Sequence, residues 1–289
     1  MMLWRALFFI GLLAWTGRAG AVSLPEAVVA KSALLVDAQT GQVLFQRAPD
    51  TPYLPASTTK LMTALLVWEQ TGLRGTLQVA PEDTLVEPSH IPLRPGEVVS
   101  VRDLTSALLI GSDNDSAMAL GRSCSGDLDK FIARMNARAR ELGCTHTLFC
   151  NPNGLPGGRQ YTSANDLLKI FRAVLAVPEL RRICSTRMFL LKTEVGTQRL
   201  KNHNRLLGVY PGMGPAKTGW TMASRHTYAA SATRSGRELY LIILNSANKW
   251  NDARILFDYG FANLPAKTKL HQPEVVLASA PAAAPDLHK

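Results

Sequence analysis

The chain has 289 residues, 46% of them hydrophobic and 19% charged, with a formal net charge of +10. This composition suits a globular protein of one large domain or two small ones and excludes a low-complexity or wholly disordered chain. The basic balance favours anionic surroundings such as a cell wall or a membrane surface, and by itself names no partner.

Residues 1–21 read as a secretory signal: Arg5, an apolar run from Ala6 to Trp15, then Ala19, Gly20 and Ala21 in an A-x-A pattern. An apolar run of that length is too short to span a bilayer. Export argues against nucleic acid as a partner. Cys124, Cys144, Cys150 and Cys184 could form two disulfides in an oxidising compartment, in any of three connectivities. No C-x-x-C and no zinc-like His/Cys spacing is present, so neither a metal nor a cofactor is expected.

Two short apolar runs, Ala33 to Val36 and Val43 to Phe45, flank the turn-forming stretch Asp37 to Gly41 and predict a hairpin. The segment "STTKLMTALLVWEQTG" predicts a helix capped by Gly72. Its Leu61, Met62, Leu65, Leu66 and Trp68 spread over more than one face, which places it in the interior. From about Val101 to Val177 the apolar spacing is helical, interrupted by the turn-rich "NPNGLPGG". After Met188 strand-like runs take over, at "MFLLKTEV", "AKTGW", "HTYAASATR" and "LYLIILN", followed by a helix from about Asn251 to Tyr259. Residues 265–289, with "ASAPAAAPD", read as a disordered Ala/Pro-rich tail.

Three short motifs carry candidate chemistry. Ser57 and Lys60 stand at i and i+3 and would share a helix face, so a desolvated lysine amine could take the serine proton. Taken alone, the pair also fits a capping serine and a surface lysine. "SDN" at 112–114 alone fits a helix N-cap, and "KTG" at 217–219 alone fits a lysine where a strand meets a turn. A phosphate loop is excluded at "GMGPAKTG", because Ala216 stands where that motif needs glycine.

In this order, S-x-x-K, S-D-N and K-T-G form the signature set of penicillin-binding proteins and class A β-lactamases. With "ASTTKLMTALLVWE", "GSDNDSAMAL", "NPNGLPGG", "YTSANDLL", "NHNRLL", "KTGWT" and "DYGF", the chain from about residue 25 to 264 resembles the D-alanyl-D-alanine carboxypeptidase family of low-molecular-weight penicillin-binding proteins. The resemblance implies an α/β fold, an antiparallel sheet flanked by helices plus a mostly helical lobe, with the cleft between them. It also implies a catalytic domain over residues 22–264. The implied partners are peptidoglycan stem peptides and, as covalent inhibitors, β-lactam antibiotics.

The resemblance further implies that Ser57 is the nucleophile, Lys60 the base, and Ser112 with Lys217 a proton relay to the departing D-alanine. Asn114 would bind the substrate amide and Thr218 its terminal carboxylate, beside Gly219. The N–H groups of Ser57 and Trp220 would form the oxyanion hole. Arg254, aligned through a short insertion among residues 245–253, would be the family's carboxylate-binding arginine. Departures border the cleft: Gly214 and Pro215 replace the usual Asp-Gly before K-T-G, and Ser224 and Arg225 the usual Ala-Gly after it. The rivals are a D,D-endopeptidase cutting cross-links, a non-catalytic β-lactam-binding module, and a class A β-lactamase, whose E-x-x-L-N loop has no match between Asn151 and Leu180. A second β-rich domain is not expected, and the tail lacks a basic amphipathic pattern, so no stable membrane anchor is expected.

Overall fold

The computed structural model describes residues 27–86, 91, 93–194 and 196–264. The expected signal and the Ala/Pro-rich tail both lie outside these residues.

Five antiparallel strands form the main sheet: β1 (Ser32–Asp37), β2 (Val43–Arg47), β7 (Met213–Thr221), β8 (Arg225–Arg234) and β9 (Arg237–Ser246), in the order β2-β1-β9-β8-β7. The central strand β9 reads "LYLIIL" because both its faces are buried. Tyr240, Ile242 and Leu244 join one core while Leu239, Leu241 and Ile243 join the other. β1 alternates the same way, with Leu34 and Val36 on one side and Ala33 and Leu35 on the other. The edges of the sheet are β2 and β7.

One face is covered by the last helix, α7 (Lys249–Ala262), through Ala253, Leu256 and Phe257. The approach is close, since a Cβ at Gly260 would lie 2.6 Å from Leu35 Cδ2. The other face carries α5 (Ala164–Leu175) and, against β7, the short α6 (Pro178–Cys184). Beyond them lies α1 (Lys60–Thr71), surrounded by the helical lobe of α2 (Val101–Ser106), α3 (Asn114–Ser125) and α4 (Leu128–Glu141). Every residue of α1 from Lys60 to Val67 is buried, as its all-round apolar pattern predicts. Gly72 ends it in the left-handed conformation (φ 59°), donating its N–H to Trp68 O at 2.8 Å. Side-chain N-caps start the lobe: Ser100 accepts from Asp103 N–H, Asp113 from Ser116 N–H and Asp127 from Lys130 N–H.

Three features go beyond the sequence expectation. A small pair, β3 (Thr76–Gln78) with β4 (Val98–Ser100), is too short for an alternation to register. The run at Met188 becomes β5 (Met188–Thr193), paired with β6 (Gly196–Lys201) as a separate hairpin outside the main sheet. The four cysteines, which could have formed two disulfides, are all free thiols. They are seated apart in the fold: Cys124 late in α3, Cys184 at the end of α6, Cys144 with its thiol directed at Asp166 O, and Cys150 against Gly158. Burial pushes Cys124 up to about 11 and Cys144 and Cys184 up to about 12, so these three stay protonated.

Candidate active site

Ser57 sits in the tight turn Ala56–Thr59 that leads into α1, half-buried beside the edge strand β7. Two glycines permit this seat. A Cβ at Gly154 (φ 83°) would lie 2.0 Å from Ala56 O, and one at Gly219 would lie 2.8 Å from Ser57 N and 2.3 Å from Thr227 Oγ1. Thr227 in turn donates to Pro55 O at 2.9 Å, which ties β8 to the turn.

Lys60, the first residue of α1, is fully buried. Its Nζ donates to Ser57 Oγ at 3.0 Å, to Asn114 Oδ1 at 2.8 Å and to Asn153 O at 2.7 Å. None of these three is a carboxylate. Burial, and then the nearby charge of Lys217, hold its pKa well below the ordinary lysine value, against a smaller opposing pull from Asp113. The amine is thus disposed to be neutral while it touches the serine. The carbonyl of Asn153 comes from the "NPNGLPGG" loop, which is held by Thr63 Oγ1 donating to Pro152 O and by Gly154 N–H donating to Asn151 Oδ1.

Ser112 reaches the same space through an unusual backbone. After α2 the chain widens into a π-turn, Ala107–Gly111, and Ser112 follows in the left-handed region with φ 60°. This is a costly conformation for a residue with a Cβ, of the kind that concentrates at functional sites. Lys217, in β7, donates to Ser112 Oγ at 2.8 Å and to its neighbour's carbonyl, Thr218 O, at 2.9 Å. Burial and the charge of Lys249 bring Lys217 down to about 7.

The structure therefore brings together Ser57, Lys60, Ser112, Asn114, Lys217 and Gly219. Thr218 is buried and pairs across the strands with Tyr228; Trp220, 56% exposed, pairs with His226. Arg254 is placed differently from the rest. It is exposed on α7, whose buried positions Ala253, Leu256 and Phe257 face the sheet.

The cation that approaches the cleft from α7 is Lys249. Its Nζ lies 3.0 Å from Nδ1 of His226, the cross-strand partner of Trp220, and 4.7 Å above the ring of Trp250. Burial, then the charge of Arg205, lowers Lys249 to about 8; burial, then Lys249 and Arg205, lowers His226. Sequence reading passed over Lys249 because it searched for an arginine. The available signal was position: Lys249 directly follows the cap residue Asn248, where the chain leaves the buried central strand.

Such an arrangement suits acyl transfer: a serine in contact with a buried amine, a second serine–lysine pair beside it, and backbone N–H groups where β7 meets the Ser57 turn. Comparison with known proteins agrees. The family model described as D-alanyl-D-alanine carboxypeptidase, Peptidase_S11, matches residues 19–248. The D-alanyl-D-alanine carboxypeptidase DacB2 of Mycobacterium tuberculosis is 36% identical over 255 residues, which is 86% of this chain and 87% of that protein. DacF of Bacillus subtilis, named likewise, is 30% identical over 81% of this chain but only 62% of its own length. A crystal structure of a D-alanyl-D-alanine carboxypeptidase from M. tuberculosis superposes with a TM-score of 0.80 at 35% identity, covering 86% of this chain and 96% of that one. With the three motifs linked by hydrogen bonds and the family model spanning most of the sequence, this chain belongs to the D-alanyl-D-alanine carboxypeptidase family of serine peptidases.

Proposed function

We propose that the chain removes the terminal D-alanine from peptidoglycan stem peptides by way of a Ser57 acyl-enzyme. The observation that carries the reading is the 3.0 Å contact between Ser57 Oγ and a fully buried Lys60 amine that hydrogen-bonds no carboxylate. Lys60 takes the serine proton as Oγ attacks the carbonyl of the penultimate residue. The N–H groups of Ser57 and Trp220 stabilise the oxyanion, a contribution of about 2.7–4 kcal/mol per donor in comparable sites. As the tetrahedral intermediate collapses, the leaving D-alanine nitrogen takes a proton from Ser112, which Lys217 replenishes. Water then hydrolyses the Ser57 ester. Asn114 binds the substrate amide through its side-chain amide group.

Thr218 holds the terminal carboxylate, and Lys249 supplies the positive charge at that end. This role is assigned to Lys249 for its place beside His226, the cross-strand partner of Trp220, in preference to Arg254, which is exposed on α7. Residues 22–264 act as one catalytic unit, exported to the cell envelope after loss of residues 1–21, and β-lactams inhibit by acylating Ser57.

The test is digestion of purified peptidoglycan by the mature protein, with products identified by mass, alongside mass mapping of a fluorescent penicillin adduct. Free D-alanine and an adduct on the Ser57 peptide are expected. Split cross-links without free D-alanine would replace the reading with an endopeptidase, and an adduct elsewhere would sink the mechanism.

A further inference from the structure

The β5–β6 hairpin has two unlike faces. Phe189, Leu191 and Leu200 turn inward and pack on the helical lobe, and a Cβ at Gly111, the residue before Ser112, would lie 3.5 Å from the Leu200 methyls. The outward face consists of three cross-strand pairs, Met188 with Lys201, Leu190 with Arg199 and Lys192 with Thr197, and all six residues are exposed. Leu190 is 60% and Met188 36% exposed. The stretch from Arg182 to His203 carries five Lys and Arg against one Glu, a large share of the chain's net charge of +10. Among the described residues, Lys192, Arg199 and Lys201 form no salt bridge.

The geometry points to this outward face as a reversible docking surface for an anionic lipid bilayer, with Leu190 and Met188 entering the headgroup layer and Lys192, Arg199 and Lys201 meeting lipid phosphates. Charge complementarity selects an anionic occupant. The leucine and methionine between the cations select a bilayer over a soluble polyanion, which would leave both apolar side chains in water, whereas an interface uses both kinds of group. The inner leucine ties the hairpin to Gly111, so the docked membrane lies beside the catalytic cleft. Such contact orients the enzyme and is distinct from an anchor.

The experiment is cosedimentation of the mature chain with vesicles of equimolar phosphatidylglycerol and phosphatidylcholine, and with phosphatidylcholine alone. Binding to the anionic vesicles only, falling as salt rises, is expected. Arg199→Glu/Lys201→Glu should reduce it by at least about tenfold, and Leu190→Ser by about three- to tenfold. Both variants should label with penicillin at the parent rate, since neither alters the cleft. Three results would overturn the proposal: no binding to anionic vesicles, binding indifferent to the hairpin substitutions, or charge reversal abolishing binding while Leu190→Ser leaves it intact. The last result, especially with linear polyphosphate competing, would assign the face to a soluble polyanion instead.

Discussion

Gly219→Ala tests how tightly the nucleophile is seated. The added methyl would stand 2.3 Å from Thr227 Oγ1, 2.8 Å from Ser57 N and 3.0 Å from Ala56 Cβ. Comfortable non-bonded separations are about 3.5 Å or more, so strand and turn must part by roughly 1 Å. Overpacking of this kind costs about 1–3 kcal/mol of stability. The same movement separates the Ser57 and Trp220 N–H groups proposed as oxyanion donors, and a shift of that size in a reacting constellation costs about 10²-fold in rate. Acylation by fluorescent penicillin should therefore slow by about 10²-fold, and the urea midpoint should fall. Adding Thr227→Ala removes the worst contact but not the one with Ser57 N. The double variant should recover stability in part, less about 1 kcal/mol for the lost bond to Pro55 O, and remain slow. A Gly219→Ala enzyme that acylates at nearly the parent rate would show that β7 and the Ser57 turn do not need this approach, and the oxyanion assignment would fall with it.

Lys60→Met should fold and lose about 10²–10⁴-fold in acylation rate, measured by the same labelling, and parent-like labelling would remove Lys60 as the base. Lys249→Gln should lower kcat/KM about 10–100-fold for peptides ending in free D-Ala-D-Ala and far less for their C-terminal amides, while Arg254→Ala should change neither; equal losses on both substrates would refute the carboxylate role. In the folded chain Lys217 titrates near 7 and Lys249 near 8, below the ordinary 10.5, so from those values up to about 9, above which the buried thiols of the folded chain keep protons that the unfolded chain loses, the unfolded chain holds more protons. Stability should therefore rise with pH across that window, and Lys249→Met should flatten the rise in a series of thermal melts. Asp83 is fully buried and accepts from Arg122 Nε and Nη2 and from Ala80 N–H, so Asp83→Ala should cost about 3–5 kcal/mol in urea unfolding with acylation per folded molecule unchanged.

Much of this architecture is written in local patterns. The two-sided apolar run of β9, the all-round burial of α1 and the N-caps of the lobe each follow from residue spacing, and the motif order located the cleft. What escaped is non-local. The left-handed turn at Ser112 depends on the π-widening before it, and "ALLIG" reads as ordinary apolar helix up to its closing Gly111, with no proline to announce that. Lys249 enters the site only because β8 and β9 carry the start of α7 back beside His226. Arg254, chosen by residue type, is an exposed residue of α7. The free cysteines teach a similar lesson: composition counts thiols, while packing decides which of them meet.

Strand β7, which carries Lys217, is the last in its sheet, so one row of its peptide groups has no neighbouring strand among the described residues. Exposed rows of this kind invite stray pairing between molecules. Here Pro215, which lacks an N–H, and the register shift between Met213 and Ala216 interrupt the strand upstream of Lys217, leaving Ala216 to Thr221 regular. An extended peptide lying along that short remnant would be held by its main chain, with its side chains alternating away from the strand. Selection would then rest on stereochemistry and on the free terminus, and tolerance toward the residues earlier in the peptide follows from the same vacancy.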